Sequence, residues 1–235
     1  MSKIMKIGII GLGLIGGSIA LKLKEVNNKI VIYGFDQNTD SLDYSLKNNI
    51  IDKRFNPDSL IGFDYIFLAI PVESIKKQLK IILDKISKET LVIDLGSTKY
   101  QICNSVKTHN NRGNFLASHP IAGTEFSGPI AARKDLFNNK VMILCETENT
   151  NSSLLLSAIE IFKKLGMNIK TMGSLEHDKH IAYVSHLSHI SSFMLGKTVM
   201  DKEDDDQTIY DMAGSGFEST VRLAKSSPEM WSSIF

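Results

Sequence analysis

Lys6-Ile7-Gly8-Ile9-Ile10-Gly11-Leu12-Gly13-Leu14-Ile15-Gly16 decides the fold of this 235-residue chain. A short run of β-branched residues ends in a GxGxxG string, and an amphipathic stretch over 15–26 begins inside that string. Glycines cluster in many tight turns, so the string alone says little. Its context says more: strand before, helix after, and Asp36 at the end of the second apolar run, 20 residues beyond Gly16. That is the pattern of a dinucleotide-binding βαβ unit. Gly11 permits the sharp turn, Gly13 lets the backbone approach a pyrophosphate, and Gly16 lets helix pack on strand. The amides opening the helix, around Leu14 and Ile15, then face the phosphate charge. Asp36 accepts from the adenosine ribose hydroxyls and repels a 2′-phosphate. Gln37 and Asn38 supply no arginine to bind one, so NAD is expected over NADP.

Outward from this unit, the first two-thirds of the chain alternates short apolar runs with longer amphipathic ones. Strands are expected at 6–10, 30–35, 65–69, 91–94, 114–117, 141–145 and 168–172, and helices at 15–26, 41–48, 72–86, 98–108 and 153–165. That rhythm predicts an α/β fold with a doubly wound, mostly parallel Rossmann-type sheet. Ligands of such sheets sit beyond the carboxyl ends of the strands. Ile70-Pro71 and Gly96-Ser97, which each follow a strand, are therefore expected to border the nicotinamide half.

After Gly173 the pattern becomes all-helical. One long helix is expected over 175–200, with Ile181, Val184, Leu187, Ile190, Phe193, Met194 and Val199 as a core or subunit-interface stripe. An acidic break at 201–206 follows, then helical pieces at 209–213, 217–224 and 228–235, the last opened by Ser227 and Pro228. The expected division is a nucleotide-binding domain over 1–173 and a helical domain over 174–235.

Composition narrows the function classes. The chain is 43% hydrophobic and 23% charged, as a globular protein is. A formal net charge of +1 gives no field for nucleic acid or an anionic membrane surface. No apolar run is long enough to span a bilayer. The N-terminus lacks a signal-peptide core. The two cysteines, Cys103 and Cys145, form neither a disulfide framework nor a zinc site. A cytoplasmic protein without a metal is expected. His177 and His180, with Asp178, read as a solvated helix face, and His186 as a packing residue.

Ser118-His119-Pro120-Ile121-Ala122-Gly123-Thr124-Glu125 carries the chemistry. The histidine stands in what reads as a Pro- and Gly-rich loop after a strand, exposed and rigid. An imidazole titrating near neutrality accepts a proton well from an alcohol that is losing hydride. GLGLIGGS at 11–18, Asp36, LAIPVE at 68–73 and DLGSTK at 94–99 precede or accompany this block. SHPIAGTEFSGP at 118–129, EHDKHIAYVSHLSH at 176–189 and GSGFESTVRLAKSSPEMW at 214–231 complete the set. With these segments in this order, the chain resembles the prephenate/arogenate dehydrogenases of tyrosine biosynthesis.

That resemblance implies NAD-dependent oxidation and decarboxylation of a small cyclohexadienol, prephenate giving 4-hydroxyphenylpyruvate and arogenate giving tyrosine. His119 matches the catalytic histidine, and Ser97 the serine that also bonds the ring hydroxyl. Arg222 matches the arginine that binds a substrate carboxylate, a task suited to a guanidinium fork. His189 matches a second pocket histidine, Thr124 and Glu125 residues at the pocket entrance, and Trp231 a tryptophan near the site. Two positions depart from the family pattern: Ser188 replaces a proline before His189, and Ser219 an acidic residue three before Arg222. The resemblance also implies a homodimer through the helical domain, with further helices expected beyond Phe235. Two other readings stay open, an NAD(H)-binding sensor without turnover and another hydroxyacid dehydrogenase.

Overall fold

The structure, a computed structural model, describes residues 4–124, 126–203 and 209–225. The expected helix at 228–235 with Trp231, and the loop residue Glu125, lie outside them. Two compact units divide the chain, Met1–His177 and Asp178–Phe235.

In the first unit the apolar runs become strands β1 (Met5–Ile10), β2 (Ile30–Phe35), β3 (Lys53–Arg54), β4 (Tyr65–Leu68), β5 (Leu91–Asp94), β6 (Phe115–Ile121), β7 (Val141–Cys145) and β8 (Asn168–Met172). They form one sheet in the order β3-β2-β1-β4-β5-β6-β7-β8. Every pairing is parallel except that of β6 with β7. Helices α1 (Leu14–Val26), α2 (Thr39–Lys47), α3 (Val72–Lys85), α4 (Tyr100–Ser105) and α5 (Ser152–Lys164) connect the strands. Two apolar layers result. Ile7, Ile9, Phe67 and Ile93 pack with Ile19 and Leu23 of α1 and Phe162 of α5. Ile66, Leu68, Val92 and Phe115 pack with Ile75 and Leu79 of α3 and Ile102 of α4. Strands covered on both faces have to be apolar throughout, which is why they read as unbroken runs. The chain is thus a doubly wound Rossmann-type α/β fold.

Three expectations about elements are corrected. A strand missing from the sequence reading, β3, is two exposed charged residues added to β2 at the sheet edge. The helix expected at 98–108 is a short α4. Strand β6 does not end at Ala117: it runs through His119 and Pro120 to Ile121, paired with β7. A proline normally breaks a ladder, but the pairing of β6 with β5 stops at Ala117. Beyond that point β6 has an edge, where a missing N–H is tolerated.

The helical stretch expected over 175–200 is also broken. It comprises α6 (Ser174–Ile181), a π-turn at Ala182–His186, and α7 (Leu187–Glu203), whose last turn takes up Asp201 from the expected acidic break. Within the second unit, α8 (Ser215–Val221) leads into a 3₁₀ turn at Arg222–Lys225. The Ser192 hydroxyl on α7 donates to the Thr220 carbonyl on α8 at 2.8 Å. Of the apolar stripe, Ile181 is buried, whereas Val184, Leu187 and Met194 are exposed. Among the described residues, no helix is long and apolar enough to cross a membrane.

Candidate functional site

Topology brings the predicted residues of the first unit to one edge of the sheet. Gly11 follows β1, Asp36 follows β2, Ile70-Pro71 follows β4 and Ser97 follows β5, all at carboxyl ends. His119 lies on β6 two residues past its last pairing with β5. The strand order reverses between β1 and β4, so this edge holds the switch point where such sheets bind ligands.

The glycine turn meets its steric demands residue by residue. Gly11 has φ +93°, and a Cβ there would lie 2.3 Å from the Ala69 carbonyl oxygen. A Cβ on Gly16 would lie 1.9 Å from the Gly11 carbonyl oxygen. A Cβ on Gly13 would meet nothing within 4 Å. Two of the glycines therefore serve the protein's own packing, and the middle one keeps the mouth of the turn clear. Gly13 carries no side chain to cap α1, and its carbonyl accepts the first helical bond, from Gly17 N–H at 2.9 Å. Asp36, half-buried, accepts from Leu12 N–H at 2.7 Å through Oδ2 and from Asn38 N–H at 2.9 Å through Oδ1. These bonds fix its carboxylate beside the turn, and each oxygen keeps lone pairs for a diol. This donor and acceptor set fits a dinucleotide.

A buried ion pair ties the Ser97 turn to the strand of His119. Asp94 and Lys99 are both fully buried and bond to each other. Lys99 Nζ also donates to the Ser118 carbonyl at 2.8 Å, the Ser118 hydroxyl to the Asp94 carbonyl at 2.6 Å, and Gly96 N–H to Asp94 Oδ1 at 2.6 Å. The segment 94–99 is thereby clamped at both ends around half-buried Ser97, and Ser118 is held one residue from His119. Burial pushes the Asp94 carboxyl above the usual carboxylate range, opposed by the Lys99 ammonium and the Gly96 amide. Neither charged residue figured among the sequence candidates. The available signal was an aspartate closing a fully apolar strand, since a carboxylate placed there needs a cation.

His119 stands within a paired strand rather than in a loop and is half-buried rather than exposed, and its backbone is correspondingly better fixed. Its Nδ1 lies 2.9 Å from Nε2 of His177, the ring centroids 5.1 Å apart at 69°. His177 is therefore not on a solvated helix face: it is fully buried, while His180 on the same helix is exposed. Helical spacing could not tell the two apart, because the ring that His177 meets lies 58 residues away. Thr124 is exposed, and its hydroxyl accepts from Phe126 N–H at 3.2 Å, closing a small turn after β6.

His189 and Arg222 belong to the second unit. His189 is half-buried, and its Nδ1–H donates to the Ser185 carbonyl at 2.9 Å, which leaves Nε2 as the acceptor of the neutral ring. The π-turn supplies that carbonyl through Ser185, three residues before Ser188, which stands where the family pattern has a proline. Arg222 is exposed at the start of the 3₁₀ turn. The Ser219 hydroxyl donates to the Gly216 carbonyl at 3.0 Å. His186 is buried, as expected of a packing residue, and so are Cys103 and Cys145. Burial pushes the Cys103 thiol up to about 12, so it is inert at neutral pH.

Comparison with known proteins agrees with this fold. The family description "Prephenate dehydrogenase, nucleotide-binding domain" matches residues 19–171, and "Prephenate dehydrogenase, dimerization domain" matches 173–235. A prephenate dehydrogenase of Bacillus subtilis is 32% identical over 230 residues, covering 95% of this chain and 62% of its own length. A cyclohexadienyl dehydrogenase of Zymomonas mobilis is 27% identical, with 100% and 81% covered. The chain thus spans about three-fifths of the B. subtilis relative. The crystal structure of prephenate dehydrogenase from A. aeolicus in complex with hydroxyphenyl propionate and NAD⁺ superposes with a TM-score of 0.88. It is 30% identical, with 100% of this chain and 82% of that one covered. With its nucleotide fold, its edge-mounted histidine and both family matches in agreement, the chain belongs to the prephenate dehydrogenase family.

Proposed function

We propose that this protein is an NAD-dependent dehydrogenase that oxidises and decarboxylates prephenate to 4-hydroxyphenylpyruvate, acts also on arogenate, and works as a homodimer in the cytoplasm. One observation carries the reading. His119 is held at the carboxyl edge of the sheet, on the strand next to the clamped Ser97 turn, in a fold whose glycine turn is built for a dinucleotide. NAD is favoured over NADP because Asp36 lies beside that turn with its carboxylate fixed.

In this reading Gly11, Gly13 and Gly16, with the amides of Leu14 and Ile15, hold the pyrophosphate, Asp36 the ribose, and Ile70 and Pro71 border the nicotinamide. The bound nicotinamide supplies the hydride acceptor. His119 accepts the ring hydroxyl proton at Nε2 while Ser97 orients that oxygen. The O–H electron pair forms the ketone as hydride leaves C4. The carboxylate then leaves as CO₂, the electrons of its bond complete the aromatic ring, and the ring oxygen takes back the proton from His119 to become the phenol. Arg222 and His189 bind substrate, the arginine through a carboxylate, with Thr124, Glu125 and Trp231 as further contacts. Residues 1–173 form the nucleotide-binding domain and 174–235 the helical one. Exposed Val184, Leu187 and Met194 on the helical unit support a second copy as partner. Cys103, a buried free thiol, suits a reducing compartment.

Initial rates of NADH formation test this with NAD⁺ or NADP⁺ and with prephenate or arogenate. His119→Asn is expected to lose about 10²- to 10⁴-fold in kcat, the range a positioned base contributes. Arg222→Ala should raise KM by about 10- to 100-fold, as loss of a charged hydrogen bond does. Wild-type rates in His119→Asn, or NAD⁺ binding without turnover on either substrate, would overturn the reading.

A further inference from the structure

We infer that His177 is the positioning residue that sets the tautomer of His119, accepting the hydrogen of Nδ1 so that Nε2 presents its lone pair to the substrate hydroxyl. The inference rests on the function proposed above for His119.

A neutral imidazole has one donor and one acceptor nitrogen, so a bond between two histidines runs in one of two directions. If His177 donated, Nδ1 of His119 would accept. Nε2 would then carry the hydrogen and could take no proton from an alcohol. Only the opposite direction leaves His119 competent as a base. In that direction His119 Nδ1–H donates across 2.9 Å to His177 Nε2, with the rings in an edge-to-plane arrangement.

The acceptor is held firmly. His177 is fully buried, so bulk water does not compete for its Nε2. It sits on α6, whose first residue, Ser174, donates its hydroxyl to the carboxylate of Glu146 at the end of β7. The backbone N–H of His177 donates to the Gly173 carbonyl at 2.9 Å, directly after β8. Strands β6, β7 and β8 are consecutive in the sheet. The two histidines are therefore spaced by sheet geometry and not by a flexible side chain.

The surroundings also suit the charge that develops. When the O–H bond breaks and an Nε2–H bond forms, His119 becomes an imidazolium and its Nδ1–H bond becomes charge-assisted, hence stronger. Asp94, held by Lys99 and the Gly96 amide, closes β5, the strand that pairs with β6 up to Ala117.

The test uses the full chain with ¹⁵N-labelled histidine, and the shifts of His119 are read with and without NAD⁺. The expected wild-type signature is a protonated Nδ1 and an unprotonated Nε2. His177→Gln keeps an acceptor oxygen and should retain that signature, while His177→Phe should shift His119 to a tautomer mixture. In kinetics, His177→Phe should lower kcat about 10- to 100-fold, part of what a positioned base contributes. KM for prephenate and the NAD⁺ dissociation constant should not change, and His177→Gln should recover most of the loss. An unprotonated Nδ1 in the wild type, or equal losses in the two variants, would overturn the inference. So would a His177→Phe effect on melting temperature with kcat intact. Should His177→Phe fail to fold, the wild-type spectrum and His177→Gln still decide. Absence of prephenate turnover in the wild type would instead defeat the proposed function and leave the tautomer measurement standing.

Discussion

At the residue scale, the glycine turn separates what the fold needs from what a ligand needs. Gly16→Ala forces a methyl to within 1.9 Å of the Gly11 carbonyl oxygen, and the rigid backbone offers no yielding side chain. It should destabilise the protein by about 1–3 kcal/mol, as overpacking does. Gly13→Ala meets open space, so its melting temperature should match wild type. Its methyl projects into the mouth of the turn, and NAD⁺ affinity should fall about 10- to 100-fold through lost charge-assisted amide bonds. Calorimetry and NAD⁺ titration of the two variants check this pair; matched effects on both readouts would contradict it. Both glycines were legible in the sequence because local spacing encodes the turn. His177 was not, since the ring it meets lies on a distant strand.

At the scale of elements, legibility followed burial. Strands β4 and β5 are covered on both faces, so every residue before the Asp94 that closes β5 had to be largely apolar and the runs were unmistakable. Two exposed charged residues make up β3, and no pattern could announce it. A π-turn adds one residue to a helical turn and leaves the apolar spacing almost intact, so the break between α6 and α7 was hidden. The extension of β6 past Ala117 was masked by Pro120, which normally argues against a strand. What holds that extension against the Ser97 turn is Lys99, and its removal has a predictable pH signature. Lys99→Met leaves the Asp94 carboxylate buried without its cation, a loss of about 3–5 kcal/mol. Burial already raises the folded-state pKa of Asp94, and without Lys99 it rises further. A carboxyl raised on folding costs stability above its folded pKa, and that cost fades as pH falls through it. The gap between wild type and Lys99→Met should therefore be widest near neutral pH and narrow on acidification. Urea melts across that range measure it; a gap that widens toward acid would show that Asp94 is not the charge left exposed to burial.

At the scale of the whole molecule, the proposed roles put chemistry in one compact unit and substrate recognition in the other. The glycine turn, Asp36, Ser97, His119 and the Asp94/Lys99 clamp all belong to the first compact unit, whereas Arg222 and His189 belong to the second. The first unit also contains both apolar layers of the sheet. A unit with its own core has the means to fold by itself. A fragment of residues 1–181, cut where α6 ends, is therefore expected to fold cooperatively and to bind NAD⁺ within about threefold of the full chain, a change under 1 kcal/mol. It should retain the paired-histidine signature, because His119 and His177 both lie within it. It should not turn over prephenate at any accessible concentration, since the arginine proposed to hold the substrate carboxylate is absent. Circular dichroism, NAD⁺ titration and an NADH assay on the fragment distinguish the outcomes. A folded fragment that fails to bind NAD⁺ would mean that the second unit contributes to the nucleotide site. Turnover by the fragment would mean that Arg222 is not the substrate anchor.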